Sequence, residues 1–303
     1  AGYRPYVLRV EKFSPDLVEI LRGLSPRFVF NLCEEVGGKP ELEMCVAGLL
    51  ELMDITYTGS DPFALALALD KFRVKQILRA AGIPTPRGFL CPSGQKPRTP
   101  RGMRFPMLVK PVRQDASLGI NSRSVCRTAA ELEMQTAYVH DAYDQGALVE
   151  EFLDGREFNV SVVGDCDPRV LAVSEIDFSG LPEDEPKLVS YRAKWDEDSP
   201  LYSGTVPICP APIPRRLEKR IRNLAVRSYR CIGCRDYGRV DMRTDSRGNV
   251  FVLEVNPNPD ISPKAGFARA ARAAGYSYSE MIMRISEAAL ERRAKSAAAA
   301  YAF

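Results

Sequence analysis

The sequence predicts an α/β fold, and three observations carry the prediction. Residues 5–62 alternate strand-like and helix-like runs: PYVLRV, SPDLVEILRGL, RFVFNL, ELEMCVAGLLELM and ITYTGS. Strands alternating with helices in this way read as a parallel α/β unit. Further on, two alternating apolar runs flank the polar stretch Thr244 to Asn249, which contains Gly248, and read as a β-hairpin. Finally, RRLEKRIRNLAVRSYRCI and SYSEMIMRISEAALERRAKSAAAA read as helices on either side of that hairpin.

The elements between follow in order. Residues 62–82 read as one long helix with a glycine stop. After IPTPRGFL comes a Pro/Gly/Arg-rich stretch from Cys91 to Arg104, then the apolar run FPMLVKPV with Lys110 near its end. RQDASLGINS is a loop, and TAAELEMQTAYVHDAYD is a helix whose Thr128 and Glu131 have the spacing of a capping box. ALVEEFLDG and REFNVSVVGD are strand-like runs around Asp154-Gly155. Residues 178–214 are rich in proline and acids with little periodicity, which marks a functional loop or lid. No internal repeat is visible.

At 303 residues the chain is long enough for two or three domains with their own cores. A net charge of +3 is too weak to argue for nucleic acid or an anionic membrane. No apolar run approaches the roughly 20 residues of a membrane span. The start, AGYRPYVLRVEKFS, lacks the apolar core of a secretory signal. Eight scattered cysteines suggest reduced thiols and a cytoplasmic location. Cys231 and Cys234 form a C-x-x-C without a second pair, so structural thiols are expected there. One histidine, His140, argues against a histidine-based triad, and it is expected on a helix surface.

The chemistry concentrates in GRVDMRTDSRGNVFVLEVNPNP, residues 238–259. With the turn centred between Arg247 and Gly248, Asp241 faces Glu254 and Arg239 faces Asn256. Side chains two apart on a strand share a face, so Asp241, Glu254 and Asn256 converge. Opposed carboxylates repel unless a cation lies between them. An all-oxygen set suits a hard ion, Mg²⁺ or Mn²⁺. The alternative is a solvated polar face that binds nothing. Lys110, ending a buried strand, asks for an anion. Lys71 lies within a helical run, where the alternative is a solvated face. Two lysines, a loop with Ser117 and Gly119, and an acidic metal site could together hold a nucleotide triphosphate, although no P-loop pattern is present. Glu150, Glu151, Phe152, Leu153 and Glu157 could form an adenosine edge or merely an edge strand.

Together these segments resemble the ATP-grasp superfamily, and within it the D-alanine–D-alanine ligase-like branch. The resemblance rests on Lys71, VKP at 109–111, the loop to Gly119, VEEFLDGREFNV at 149–160, GRVD at 238–241 and LEVNPNP at 253–259, and it runs in order along nearly the whole chain. It implies a partial parallel α/β domain at 1–70 lacking its first strand and helix, then two ATP-grasp subdomains. These would be a central lid subdomain at 71–157 and a C-terminal subdomain at 158–303 with a mobile loop at 178–208. Lys71 and Lys110 would contact ATP phosphates, Ser117 and its loop would close over them, and Glu150 to Leu153 would line adenine. Glu157 would take the ribose hydroxyls, and Asp241, Glu254 and Asn256 would hold two Mg²⁺ ions, with Mn²⁺ able to replace them. Arg239 would stabilise an oxyanion, and Lys194 would reach the γ-phosphate from the mobile loop. The partners implied are a small carboxylate and a small amine, amino acids or short peptides. A homodimer is compatible; nucleic acid and membrane are not expected.

Departures from the family pattern fall on the amino-acid half. A loop serine becomes Ala116, a lid tyrosine becomes Trp195, an N-terminal glutamate has no counterpart, and a substrate-gripping serine falls near Ala265. A Leu-His-Gly becomes Leu32-Cys33-Glu34. The expected reaction is therefore amide or peptide bond formation through an acyl phosphate on substrates other than two D-alanines. Lys264 would favour an acidic substrate group if it is not merely a surface lysine. The competing readings are a ligase acting on a peptide or protein end, and a nucleotide-binding module without catalysis.

Overall fold

The computed structural model describes residues 4–300, and side chains to 295. Strands and helices build two antiparallel sheets with helices against them. Near the N-terminus, α1 (Asp16–Leu24) and α2 (Glu43–Leu52) pack around Leu17, Leu21, Ala47, Leu50 and Tyr57. Of the strands expected in residues 5–62, only Val29 and Tyr57 pair, as one parallel bridge. Val29 donates to Thr56 O at 2.8 Å and Thr58 donates back to Val29 O at 3.0 Å. PYVLRV is not a strand. A ladder extends only where a run has partners along its length, and these runs meet each other at a single residue pair.

The long helix expected over 62–82 is two helices, α3 (Pro62–Leu69) and α4 (Lys71–Ala80). Asp70 breaks it. Its side chain accepts from Arg73 N–H and caps α4, and Arg113 pairs with it at 3.2 Å. An aspartate competes for helix N–H groups better as a cap than as an interior residue. The break turns Lys71 and Lys75 inward on one face, four residues apart, and both are buried.

The first sheet has four strands in the order β1 (Gly88–Cys91), β4 (Ala147–Glu151), β2 (Met107–Pro111) and β3 (Val125–Cys126). Helix α5 (Ala129–Tyr143) covers it. Thr128 caps α5 by accepting from Glu131 N–H, while the Glu131 carboxylate reaches Arg127 N–H. His140 is buried, not on the surface, with its ring 3.3 Å from Cys91 O.

The second sheet has five strands. They are β5 (Glu157–Val163), β6 (Arg169–Asp177), β7 (Val206–Ile208), β8 (Tyr237–Thr244) and β9 (Val250–Asn256), ordered β7-β6-β5-β8-β9. On one face lies α8 (Arg215–Ile232), whose Ile221, Leu224, Ala225, Ser228, Tyr229 and Ile232 recur at helical spacing and are buried. Each large apolar side chain buried in this way contributes about 1.5–3 kcal/mol. On the other side α9 (Gly266–Ala273) and the long α10 (Tyr278–Ala300) complete the layer. The segment expected as a loop at 178–208 is more structured than that: it forms α6 (Tyr191–Trp195), α7 (Pro200–Ser203) and strand β7. Among the described residues no helix is long and apolar enough to cross a membrane. All eight cysteines are free, and Cys234 is buried.

Candidate active site

The hairpin β8–β9 supplies the floor of the site. Asp241 is opposite Glu254 and Arg239 is opposite Asn256, as the spacing predicts. Toward the turn the expected register fails: Thr244 pairs with Val250, so the hairpin centres on Arg247 and not between Arg247 and Gly248. Met242 pairs with Val252, so Leu253 has no partner and forms a β-bulge. The bulge has a physical purpose. Val252 is fully buried in the core while Glu254 looks into the site. Two residues that far apart in a regular strand would share a face, and an extra residue lets them face opposite ways.

Beside β8, strand β5 places Asn159 opposite Asp241 and Glu157 opposite Arg243. Arg239 donates through Nε and Nη2 to both Asp241 oxygens, each at 2.8 Å, and Asn159 donates to Asp241 Oδ1 at 2.8 Å. Arg243 stands 3.2 Å from Glu157 Oε2 and lies over the Phe152 and Phe178 rings at 5.1 and 5.4 Å. Burial pushes the Glu157 carboxyl up to about 7; Arg243 pulls it down, and Asp241 and Glu254 push it further up. Burial alone would also raise Glu254. Instead the positive charges of Lys71, Lys110, Arg239 and Lys194 hold it down at about 2.

The cations come from three directions. Lys71 opens α4, donates to Asp115 Oδ1 at 3.0 Å and also donates to Gln114 O. Lys110 on β2 pairs with Glu150 on β4 at 2.8 Å. The third is Lys194 on α6, whose ammonium is lowered by burial and by Arg239 and raised by Asp241 and Glu254. Lys71 is thus no solvated face. Glu150, expected along the nucleotide edge, turns inward instead: it is 1 % exposed and sits between Lys110 and Lys75. Glu151 and Phe152 donate their N–H groups to Arg87 O and Pro106 O, and Leu153 follows them, half-buried.

Above this floor runs the loop from Arg113 to Asn121. Ala116 and Ser117 both have left-handed backbones, with φ of 54° and 62°. Each costs about 1–3 kcal/mol for a non-glycine residue, and such strain gathers at functional sites. Gly119 has φ of 77°, and a Cβ there would lie 2.5 Å from Pro111 Cγ. The segment 178–208 rests on this loop. Trp195 Nε1 donates to Ala116 O at 3.1 Å, Tyr191 N–H donates to Ile120 O at 3.0 Å, and Ser122 bonds Glu185. Lys194 lies 5.2 Å over the Trp195 ring.

At the far end of the cleft is a group that sequence reasoning missed. Asn258 donates to Glu43 Oε1 at 2.7 Å and to Cys33 O at 3.0 Å, accepts from Tyr237, and gives its N–H to Asn256 Oδ1. Burial pushes the Glu43 carboxyl up to about 8. Burial, then Asp260, raise Glu34 nearby. Lys264 is exposed.

Among the described residues no three His, Cys, Asp or Glu side chains cluster as a metal site. Asp241, Glu254 and Asn256 nonetheless fit a hard cation: the donors are all oxygen, two are opposed carboxylates, and Glu254 is held ionised. Asp241 Oδ2 keeps a lone pair beyond its bond to Arg239, while Oδ1 spends its two on Arg239 and Asn159.

The comparisons agree with this geometry. Residues 79–287 match the family model described as D-ala D-ala ligase C-terminus. An uncharacterized protein, y4sG, of Sinorhizobium fredii is 36% identical over 293 residues, covering 96% of this chain and 82% of its own. The D-alanine–D-alanine ligase of Pelotomaculum thermopropionicum is 33% identical over 255 residues, 81% of this chain and 76% of its own. Among solved structures, the D-alanine–D-alanine ligase of Bacillus anthracis complexed with ATP superposes with a TM-score of 0.70 at 23% identity, over 92% of this chain and 84% of that one. The VanG D-Ala:D-Ser ligase of Enterococcus faecalis gives 0.67 at 26% identity, over 81% and 68%. The chain is thus an ATP-grasp ligase of the D-alanine–D-alanine ligase family.

Proposed function

We propose that this ligase joins a carboxylate to an amine at the expense of ATP, forming an amide or peptide bond through an acyl phosphate, and that its substrates are not two D-alanines. The observation that carries the reading is the hairpin that sets Asp241 opposite Glu254 and Arg239 opposite Asn256, with Lys71, Lys110 and Lys194 adding the positive charge that Glu254 feels. Phosphoryl transfer to a carboxylate is a problem of positioning and charge neutralisation, and the hairpin with these cations supplies both. Asp241, Glu254 and Asn256 would hold Mg²⁺, which when bound neutralises the phosphate oxygens. Lys71 and Lys110 hold the phosphates, and Ser117 and its loop cover them. Glu157 takes the ribose, and Glu151, Phe152 and Leu153 face adenine. Lys194 comes down with the lid on the γ-phosphate. Arg239 keeps one side of its guanidinium on Asp241 and offers the other to the oxyanion that forms when the amine attacks.

The substrate end supports a change of specificity. Ala116 and Ala265 carry no polar group, and Trp195 spends its N–H on Ala116 O. A site that loses substrate-matching polar groups changes its selectivity more than its chemistry. Glu34 and Asp260 make this end acidic, and the repulsion between them is relieved by an ammonium group on the substrate. The experiment is a phosphate-release screen of amino acids and dipeptides with ATP and Mg²⁺. Basic amino acids should outperform acidic ones, and D-alanine should be poor at both positions. D-alanyl-D-alanine formation at a kcat/KM of about 10⁴ M⁻¹s⁻¹ or above would count decisively against the specificity reading.

The lid offers a second check. Trp195 is the one tryptophan in the chain and joins α6 to the loop at Ala116. Its emission should shift when ATP and Mg²⁺ are added together and stay unchanged with Mg²⁺ alone. A flat titration at saturating ATP would remove the role given to residues 178–208.

A further inference from the structure

Lys75 is the most deeply buried cation in the described chain with no place in the mechanism above. It is 0 % exposed and lies one turn beyond Lys71 on α4. Its ammonium has three hydrogens and meets three acceptors: Glu150 Oε2 at 2.7 Å, Thr85 Oγ1 at 3.1 Å and Leu253 O at 3.0 Å. Leu253 is the bulge residue immediately before Glu254, and its N-terminal neighbour Val252 donates to Pro84 O at 2.8 Å. The bulge is therefore fastened from outside its own sheet, by α4 and the chain that follows it. Glu150 gives its other oxygen to Lys110 at 2.8 Å. One ammonium thus touches the carbonyl next to Glu254 and the carboxylate that holds Lys110. A buried charge is tolerated when it is paired and hydrogen-bonded, and here the ion-pair partner Glu150 and the hydrogen-bonded Leu253 carbonyl come from the two sheets.

We infer that Lys75 is a positioning residue, which holds the Leu253 bulge so that Glu254 faces the metal and, through Glu150, holds Lys110 toward the phosphates. This rests on the ATP and metal reading proposed above. Without the ammonium, the Leu253 carbonyl loses its donor and Glu150 loses one of its two ion-pair partners, the bulge can slide, and Glu254 and Lys110 lose their common frame. Groups that orient metal ligands from behind typically change metal affinity by 10–100-fold when removed.

The test uses the full chain with Lys75→Met, which keeps length and removes charge. The probe is Mn²⁺ with ATP, its affinity measured by electron paramagnetic resonance, so the result does not depend on finding the substrates. Adenosine binding by calorimetry is the control, because adenosine has no phosphates and needs neither Glu254 nor Lys110. The expected result is a loss of about tenfold or more in Mn²⁺ affinity with adenosine affinity unchanged. Wild-type Mn²⁺ affinity in a folded Lys75→Met protein overturns the inference. So does an equal loss for adenosine, which would mean general loosening. Should Lys75→Met not fold, Lys75→Arg carries the test: it keeps the charge, and its wider planar head cannot meet the three acceptors in the same positions. Weakened Mn²⁺ binding with intact adenosine binding then supports the inference, and unchanged Mn²⁺ binding overturns it. Failure of wild-type protein to bind Mn²⁺ with ATP at all would overturn the underlying metal reading, a distinguishable outcome.

Discussion

Glu254→Gln should lower ATP turnover by about 10³-fold while leaving the fold in place. The substitution keeps size and one oxygen but removes the negative charge that four cations feel. Two consequences follow from the geometry. Asp241 is left as the lone carboxylate of the set, so a hard cation loses half the anionic charge that binds it. Lys71, Lys110, Lys194 and Arg239 also lose their common counter-charge, so they repel one another until phosphate arrives. Binding of nucleotide without metal should therefore survive better than turnover. Raising Mg²⁺ should not restore the rate, because an amide oxygen cannot replace a carboxylate in placing the ion. The measurement is phosphate release at saturating ATP across a Mg²⁺ series, with a melting curve alongside. A variant within tenfold of wild type would remove Glu254 from the metal set.

Part of this site can be read from sequence because a strand has period two. That period puts Arg239 and Asp241 on one face of their strand and Glu254 and Asn256 on one face of theirs. Near the turn, however, Thr244 pairs with Val250, a register that would set Asp241 opposite Leu253, and only a bulge brings Glu254 opposite Asp241. The bulge at Leu253 does not follow, because what fastens it is Lys75, 178 positions away in the chain. Lys75 itself is invisible for a similar reason. In KFRVKQILR it is one of several basic residues on a helix, and only the break at Asp70 turns its face inward. That break defeats a periodicity argument, since ALALALDKFRVKQIL continues helical spacing through Asp70. The burial of His140 depends on Cys91 across a sheet that sequence does not reveal. Residues 178–208 look structureless because their order comes from outside: Ala116, Ile120 and Ser122 supply the partners that hold α6 and its flanks. The single parallel bridge at Val29 and Tyr57 shows the same limit in reverse, since strand propensity alone built no ladder there.

Arg239→Lys should cost nearly as much as Glu254→Gln, although it conserves charge. The Arg239 guanidinium holds both Asp241 oxygens at 2.8 Å and still has N–H groups to direct elsewhere. Burial works against its charge, but Asp241, Glu254 and Asp115 hold it firmly protonated. A lysine is a point charge without the planar fork, so it cannot pair with Asp241 in that way and also present a fixed donor to a developing oxyanion. Removing one such preorganised donor typically lowers kcat by about 10²–10³-fold. Because the interaction is made only as charge develops, KM for ATP should change by no more than a few-fold. Arg239→Met should be no worse in kcat than the lysine variant, since neither offers the fork. Steady-state kinetics with the best substrate pair from the phosphate-release screen would decide it. A lysine variant with near wild-type kcat would assign Arg239 to holding Asp241 in place, and the oxyanion would then need another donor among the cations around Glu254.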